Sequence, residues 1–181
     1  MIKNRSRYAI LGILNISAST GYDIKKYCDT VISGFWNENF GHIYPTLKTL
    51  KEEGLIRQIS EGEDRRRIKY EITDDGKDEF MEWLKEETIM QPVRSEFMLK
   101  FVFSSLLPRN DVIEMLKTDK NIHETKLREY KILEKQVAGG LSEVTKERAR
   151  FLKATVRRGI LVAQASIEWC DETIKDFHNL I

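Results

Sequence analysis

The feature that most constrains this fold is a short helix pattern followed directly by a change in hydrophobic period. Between Gly41 and Gly54, apolar residues recur four and three positions apart, as on the buried side of a helix: Ile43, Leu47 and Leu50. Pro45 would fall in the first turn, where its missing N–H costs no hydrogen bond. Gly54 is placed to cap the C-terminus. The pattern predicts a short helix, the third of the chain.

A hairpin pattern begins where this helix ends, because the period of the apolar residues falls from 3.6 to 2. Leu55–Ser60 and Arg65–Ile72 are predicted to be strands, joined by a turn at 61–64. In the second strand apolar and charged residues alternate, so that one face packs and the other is exposed. Three helices followed by a hairpin with a basic tip is the order of a winged helix-turn-helix.

The remainder of the chain is predicted to be helical. Thr73 is placed to cap a fourth helix, and Gln91-Pro92 marks a domain boundary. Beyond it, long helices are predicted from about Asn110 to Ala138 and from about Ser142 to the end. We therefore predict a mainly α fold with a small β-hairpin: an N-terminal winged helix-turn-helix over residues 1–90 and a C-terminal long-helix dimerisation domain over residues 91–181.

The last helix carries a long apolar seam. Its members recur mostly three and four positions apart: Leu152, Val156, Gly159, Ala163, Ile167, Cys170, Ile174 and Phe177. This spacing is close to a heptad repeat, the pattern by which helices pair. We therefore predict that the seam is the dimerisation surface of a homodimer.

Composition excludes several classes of protein. With 41% hydrophobic and 33% charged residues the chain is too apolar to be disordered, and no apolar run approaches the ~18 residues that span a bilayer. Cys28 and Cys170 have no CxxC companions, which argues against a disulfide framework and fits a reducing, cytoplasmic location. The sequence contains no nucleophile–base pair, metal-ligand cluster or glycine-rich phosphate loop. We therefore expect no enzyme, catalytic residue, metal or cofactor.

The net charge of +1 hides an uneven distribution. Residues 1–70 carry twelve Lys/Arg against eight Asp/Glu, whereas residues 71–90 carry two against eight. Because screening limits the reach of a surface charge to roughly 10 Å, local basic clusters can bind a polyanion even when the whole protein is nearly neutral. The distribution favours double-stranded DNA as a partner of the N-terminal region.

The polar face of the third helix is predicted to enter the major groove with its N-terminal end first. Glu52 and Glu53 at the far end would repel phosphates. Lysines of the second helix and basic residues of the hairpin would contact the DNA backbone or the minor groove. The predicted DNA-binding residues are Lys25, Lys26, His42, Tyr44, Pro45, Thr46, Lys48, Thr49, Arg65, Arg66, Arg67 and Lys69.

Some of these residues have a structural alternative. The run Arg65–Arg67 could be an ordinary solvated surface, and Tyr44 could be a half-buried packing residue. Three aromatic residues before the third helix are interpreted as domain core rather than as a ligand site: Phe35, Trp36 and Phe40. They and the apolar segment Phe97–Phe103 are nevertheless where a small aromatic or apolar effector would be sought.

From Ser6 to Gly76 the sequence resembles the PadR family of transcriptional regulators. The resemblance is carried by Gly21-Tyr22-Asp23-Ile24, by Ile43-Tyr44-Pro45-x-Leu47-x-x-Leu50-x-x-x-Gly54-Leu55-Ile56, and by Tyr70-x-Ile72-Thr73-x-x-Gly76. The segment Glu96–Phe101 looks like the opening of the larger C-terminal domain of the phenolic-acid-responsive branch. Two departures concern DNA contact: His42 stands where the family commonly has serine, and Ile68-Lys69 replaces the usual basic-then-aromatic order.

The resemblance implies a homodimer, usually a repressor, that a small molecule or another signal releases from DNA. Paired C-terminal helices would hold two third helices about one DNA turn (~34 Å) apart over a palindromic operator. A bound signal would change that spacing and disengage one half-site.

Two rival classes stay open at this point. A MarR-like regulator would place dimerising helices on both sides of the wing domain, and barely five residues precede the first helix here. A winged-helix adaptor that binds protein would need no DNA. Charge reversal at Lys48 and at Arg65–Arg67 separates the adaptor from a DNA-binding protein, since an adaptor would be largely indifferent to it.

Overall fold

A computed structural model describes residues 5–32, 35–59, 68–88, 94–139 and 145–179. The chain divides into two units, Met1–Met90 and Gln91–Ile181. In chain order the first unit contains α1 (Ser6–Leu14), β1 (Ser19–Thr20), α2 (Gly21–Tyr27) with a π-helical turn (Cys28–Ile32), α3 (Phe40–Glu52), β2 (Ile56–Gln58), β3 (Lys69–Ile72) and α4 (Asp74–Lys85).

Side-chain caps define where the helices of the first unit begin. Thr20 and Asp23 form a reciprocal capping box at α2. Asn39 accepts a hydrogen bond from the His42 amide at the start of α3, and Thr73 accepts one from the Gly76 amide at α4. The cap predicted at Thr73 is therefore confirmed, and so is Gly54, whose φ of 76° lies in the left-handed region at the end of α3.

The core of the first unit is aliphatic and closed. Ile43, Leu47 and Leu50 of α3 are at most 1% exposed and pack with Ile10 and Leu11 of α1 and Ile24 of α2. The buried stripe predicted for α3 is thus confirmed.

The sheet has three antiparallel strands in the order β1-β3-β2. Ile56 lies opposite Ile72 and Gln58 opposite Tyr70, as in the predicted hairpin, and β1 adds a short edge that the sequence analysis did not predict.

The second unit is all-helical among the residues described. It contains α5 (Glu96–Val102), a 3₁₀ turn (Ser104–Leu106), α6 (Arg109–Ala138) and α7 (Lys146–Asn179). Pro108 stands just before α6 and cannot continue the preceding turn. α6 and α7 pack along their length, closely enough at Gly159 that a β-carbon there would lie 2.4 Å from the Tyr130 ring. Two long helices were predicted and are confirmed, the last one beginning at Lys146 rather than near Ser142.

Candidate nucleic-acid interface

The polar face of α3 is presented to solvent. His42, Pro45, Lys48 and Thr49 are exposed, and the Lys48 side chain is 78% exposed with its ammonium 3.7 Å from Glu52. Pro45 is the sixth residue of α3 and lies beyond its first turn, so the prediction that it costs no helix hydrogen bond is wrong. Its carbonyl accepts the Thr49 hydroxyl at 3.2 Å. These side chains lie on the opposite side from the buried stripe, so α3 offers a narrow polar ridge.

Thr46 does not belong to this ridge. Its exposure is only 6%, so the prediction that it contacts DNA from an exposed position is wrong. At one hundred degrees per residue, Thr46 follows Pro45 toward the Ile43–Leu50 stripe and is enclosed by it.

Tyr44 is held by packing rather than standing free. Its ring stacks on Phe40 with centroids 5.9 Å apart, and a β-carbon on Gly21 would come within 2.7 Å of it. The absence of a side chain at Gly21 is therefore what lets Tyr44 lie across the start of α2. This half-buried position was the alternative considered for Tyr44, and it leaves only part of the ring for any contact with DNA.

The two lysines of α2 differ in their surroundings. Lys25 is paired with Asp29 one turn later and its side chain is 21% exposed, so much of its charge is compensated within the helix. Lys26 is exposed. Of the two predicted backbone contacts, Lys26 is the better placed.

The hairpin is described at its base and not at its tip. Arg65, Arg66 and Arg67 lie outside the described residues. Lys69 is exposed on β3, and on the same face Arg57 is paired with Glu71 across the strands. The predicted alternation of β3 holds only in part. Ile68, Tyr70 and Ile72 are partly buried, as predicted, but so is Glu71, which was predicted to lie on the exposed face.

A buried acid stands at the entry to α3. Glu38 is 3% exposed and accepts the indole N–H of Trp36 at 2.8 Å, while its second oxygen has no hydrogen-bond partner among the described residues. The sequence analysis missed Glu38 because it read residues 35–40 as an aromatic linker. Of the aromatic residues there, Trp36 is half-buried, whereas Phe35 and Phe40 are 56% and 43% exposed, so their interpretation as core is wrong.

The predicted dimerisation seam is covered within the chain. Its residues face α6 and α5: Val156, Gly159, Ala163 and Cys170 are buried, and Leu152, Ile167, Ile174 and Phe177 are partly buried. Their burial is intramolecular, so the buried four are not available to a second chain. The heptad-like spacing is explained by the pairing of α7 with α6.

The apolar side chains that remain open in the second unit lie elsewhere. Six of them lie on α5 and the turn after it and are 44–85% exposed: Met98, Leu99, Val102, Phe103, Leu106 and Leu107. Five more, on α6 and α7, are 49–71% exposed: Ile122, Ile132, Phe151, Leu161 and Val162. On the opposite face of α5, Phe97 and Phe101 pack edge-on against Trp169 of α7 at 6.1 and 5.3 Å. α5 is thus apolar on both faces and covered on one.

Both cysteines are inert thiols in this structure. Cys28 and Cys170 are free and buried. Burial, helped by Glu38 and Asp29, raises the pKa of Cys28 to about 11, and burial next to Asp119 raises the pKa of Cys170 to about 11. Within the described ranges, no cluster of His, Cys, Asp and Glu is arranged to hold a metal ion, and none of the described helices has the length and apolarity to cross a bilayer.

A capped helix with an exposed polar ridge, preceded by a second short helix and followed by a hairpin, defines a winged helix-turn-helix protein. Residues 10–82 match the transcriptional regulator PadR-like family, and residues 93–178 match the virulence activator alpha C-terminal family. The negative transcriptional regulator PadR of Bacillus subtilis is 37% identical over 124 residues, which are 67% of this chain and 68% of that relative. The chain belongs to the PadR family of transcriptional regulators.

Solved structures share this fold over nearly the whole chain. B. subtilis PadR in complex with operator DNA has a TM-score of 0.83 at 27% identity, covering 98% of this chain and 99% of that one. B. subtilis PadR in complex with p-coumaric acid has a TM-score of 0.78 at 26% identity, covering 96% and 98%. The predicted family and fold class are confirmed, and the family consists of regulators rather than enzymes.

Proposed function

We propose that this regulator represses transcription by binding a palindromic operator as a homodimer through α3 and the hairpin. The observation that carries this is the exposed polar ridge of α3, His42, Pro45, Lys48 and Thr49, on a helix fixed from behind by a closed core. A helix held in this way can lie in the major groove without moving the domain behind it. The operator complex of B. subtilis PadR supports the assignment by analogy.

Charge along α3 supports an approach with the N-terminal end first. His42 and Lys48 of the ridge precede Glu52 and Glu53, which lie at the C-terminal end of α3. Arg7 holds the Glu53 carboxylate at 2.6 Å and so neutralises part of that acidic end. Lys26, Lys69 and the arginines at 65–67 would contact phosphates on either side, and binding should weaken steeply with salt.

The second copy would dock on the open face of α5 rather than on the seam of α7. Leu99, Val102 and Leu106 are 63%, 68% and 85% exposed, and a contiguous apolar face of this kind is unfavourable in water. A two-fold axis would bring each such face onto its copy, as isologous contacts require. The homodimer is what the PadR resemblance implies, and among the described residues of the second unit this face carries the largest group of exposed apolar side chains that are close in sequence.

Release by a small aromatic or apolar molecule completes the proposal. The rings of Phe97, Phe101, Trp169 and Phe177 contact one another at centroid distances of 5.3–6.4 Å, so an aromatic ligand would pack on the outside of this cluster rather than between its rings. p-Coumaric acid is the ligand of one B. subtilis PadR structure. We also propose a cytoplasmic location, where the operator and reduced thiols would both be found.

Charge reversal on the ridge tests DNA binding directly. Genomic fragments selected by the purified protein provide the operator, and Lys48→Glu is then compared with the wild type by fluorescence anisotropy. We expect a loss of at least about tenfold, because a phosphate or base contact is replaced by repulsion. Lys85→Glu is the matched control: Lys85 is an exposed lysine that pairs with a glutamate, here Glu82 on α4.

Two results would contradict the proposal. Equal losses for Lys48→Glu and Lys85→Glu would mean that net charge, and not α3, determines the affinity. If the wild type retains no duplex at low salt, and if charge reversal at Lys48 leaves binding to a protein partner unchanged, the winged-helix adaptor would be favoured instead. Adding phenolic acids to the intact complex then tests release.

A further inference from the structure

The entry to α3 contains a buried carboxylate whose hydrogen bonding is incomplete. The side chain of Glu38 is 2% exposed. One of its oxygens accepts the Trp36 indole N–H at 2.8 Å, and the other has no hydrogen-bond partner among the described residues. A buried carboxylate oxygen without a donor costs free energy, so a donor within reach is expected to be used.

The nearest such group is the ring of His42. Its Nδ1 lies 3.5 Å from the unpartnered oxygen of Glu38, and the side chain is 65% exposed. A small rotation of the ring shortens this to a charge-assisted hydrogen bond. The ring therefore directs Nδ1 toward the buried Glu38 carboxylate and Nε2 toward solvent on the ridge of α3.

Glu38 lies close enough to Cys28 to act on its thiol. Cys28 is in the turn after α2, and burial raises the pKa of that thiol to about 11, so Cys28 stays neutral below pH 9. Asp29 and Lys25, which also act on Cys28, neutralise each other in an ion pair. Neither the thiol nor this ion pair therefore brings an uncompensated charge to the buried carboxylate.

We propose that Glu38, itself buried and unable to reach DNA, is a positioning residue that turns His42 into a specificity-determining contact. Its free oxygen holds a proton on Nδ1 and fixes the ring, so that Nε2 points outward from the first turn of α3. With that proton on Nδ1, Nε2 is an acceptor toward a donor atom of the duplex, the amino group of an adenine or a cytosine. This inference rests on the proposed function, since it assumes that α3 enters the groove.

Replacing Glu38 with glutamine should reverse the tautomer of His42 with almost no change in the shape of the side chain at position 38. In Glu38→Gln the amide oxygen keeps the Trp36 hydrogen bond, and the amide NH₂ then faces Nδ1 of His42. A donor at that place requires Nδ1 to be an acceptor, so the proton moves to Nε2. The wild type and Glu38→Gln should thus hold opposite tautomers of the same histidine.

Nitrogen-15 chemical shifts of His42 measure this in the free protein without any ligand. At pH 8 we expect the Nδ1–H tautomer in the wild type, the form that exposed histidines ordinarily disfavour, and the Nε2–H tautomer in Glu38→Gln. His178, whose Nδ1 lies 2.7 Å from the Ile174 carbonyl, is an internal reference that the substitution leaves unchanged. An Nε2–H tautomer in the wild type overturns the proposal, even if Glu38→Gln does not fold.

Operator binding tests the second half of the inference. Affinity should fall about tenfold in His42→Ala, which removes the acceptor, and by a similar factor in Glu38→Gln, which puts an N–H at Nε2. His123→Ala is the matched control, because His123 is also beside an acid, Asp119 at 3.3 Å, but lies on α6. An unchanged affinity in His42→Ala overturns the DNA contact.

The two proposals fail in different ways. If Lys48→Glu abolishes binding while His42→Ala leaves the affinity unchanged, only the role of His42 and Glu38 is overturned. If the wild type binds no duplex at any pH, both proposals fall, although the Nδ1–H signal would still identify the Glu38–His42 contact.

Discussion

The two units of this protein differ in how they bury their apolar residues. In the first unit, Ile10, Leu11, Ile24, Ile43 and Leu50 are all inaccessible to solvent, and the polar ridge of α3 is supported by that core. In the second unit the α6–α7 pair buries a narrow seam, and a series of large apolar side chains on α5 and the following turn is exposed. The first unit also exposes apolar side chains, such as Tyr22 and Leu84, but no comparable series of them lies along one of its described helices.

In the DNA-binding dimer proposed above, this difference separates two tasks. A recognition helix must keep its position to within a fraction of an ångström, and close packing behind the helix provides this. A dimerisation surface must instead stay open until the partner arrives. The predictions below test whether the units differ in this way, beginning with the largest expected effect.

Gly76→Ala should disrupt the first unit. A β-carbon at Gly76 would lie 2.1 Å from the backbone carbonyl oxygen of Leu55, which also accepts the Thr73 amide. Because backbone on both sides is fixed, we expect a loss of about 3 kcal/mol or more in the free energy of unfolding, measured by urea denaturation. Gly54→Ala is the control: it meets no atom within 4 Å and should cost only about 1–2 kcal/mol, for its left-handed backbone.

The local signals in the sequence were sufficient for α3, though not for β1 of the same unit. Ile43, Leu47, Leu50 and Gly54 predicted α3, its buried side and its end, because helix periodicity and a left-handed glycine are properties of neighbouring residues. Thr46 was misplaced because it lies at the border between the two faces, where the neighbouring elements decide burial.

Features that depend on distant residues were not predicted. The spacing of Val156 and Ala163 is the same whether α7 pairs with α6 of its own chain or with another chain, so periodicity could not choose between them. The buried Glu38 accepts a hydrogen bond from the Trp36 indole, and no periodic pattern in the sequence indicates that contact. An acidic residue directly before an N-cap asparagine was the only hint in the sequence.

Replacing two exposed apolar residues should separate the protomers without unfolding either unit. Val102→Asp combined with Leu106→Asp puts charges into the open face of α5, and we expect the dimer to weaken by about a hundredfold, as desolvating unpaired carboxylates would require. Sedimentation velocity measures the shift from dimer to monomer, and circular dichroism checks that helix content is kept. Ile122→Asp, exposed on α6, is the control. A dimer that withstands the double substitution would show that its interface lies elsewhere.

Stability at high pH provides a comparison of the interiors of the two units, because each contains one buried cysteine. Each cysteine has its pKa raised from an ordinary value of 9.0 to about 11. The folded state therefore disfavours the thiolate, and each thiol loses its proton at a lower pH in the unfolded state. The stability that this represents is complete below pH 9 and is lost as the pH rises through 11. At pH 10 we expect each thiol to account for about 1.4 kcal/mol of destabilisation.

Alanine variants assign this effect to each cysteine. The loss of stability between pH 8 and pH 10 should shrink by similar amounts in Cys28→Ala and in Cys170→Ala, measured by urea denaturation at each pH. A smaller change in Cys170→Ala would mean that the α6–α7 seam admits water where the first unit does not, which would sharpen the contrast between them. If neither variant flattens the profile, lysine or tyrosine titration is responsible instead.

Gly159→Ala should have the smallest effect, and it is the counterpart of Gly76→Ala. The added β-carbon would meet the Tyr130 ring at 2.4 Å, but a ring at the end of a side chain can tilt where a backbone carbonyl cannot. Alanine also favours the helix over glycine by about 1 kcal/mol, so we expect a net loss of no more than about 1 kcal/mol, measured by urea denaturation. A loss as large as that of Gly76→Ala would mean that the α6–α7 seam is packed as rigidly as the first unit, and the contrast between closed and open units would then rest on the exposed face of α5 alone.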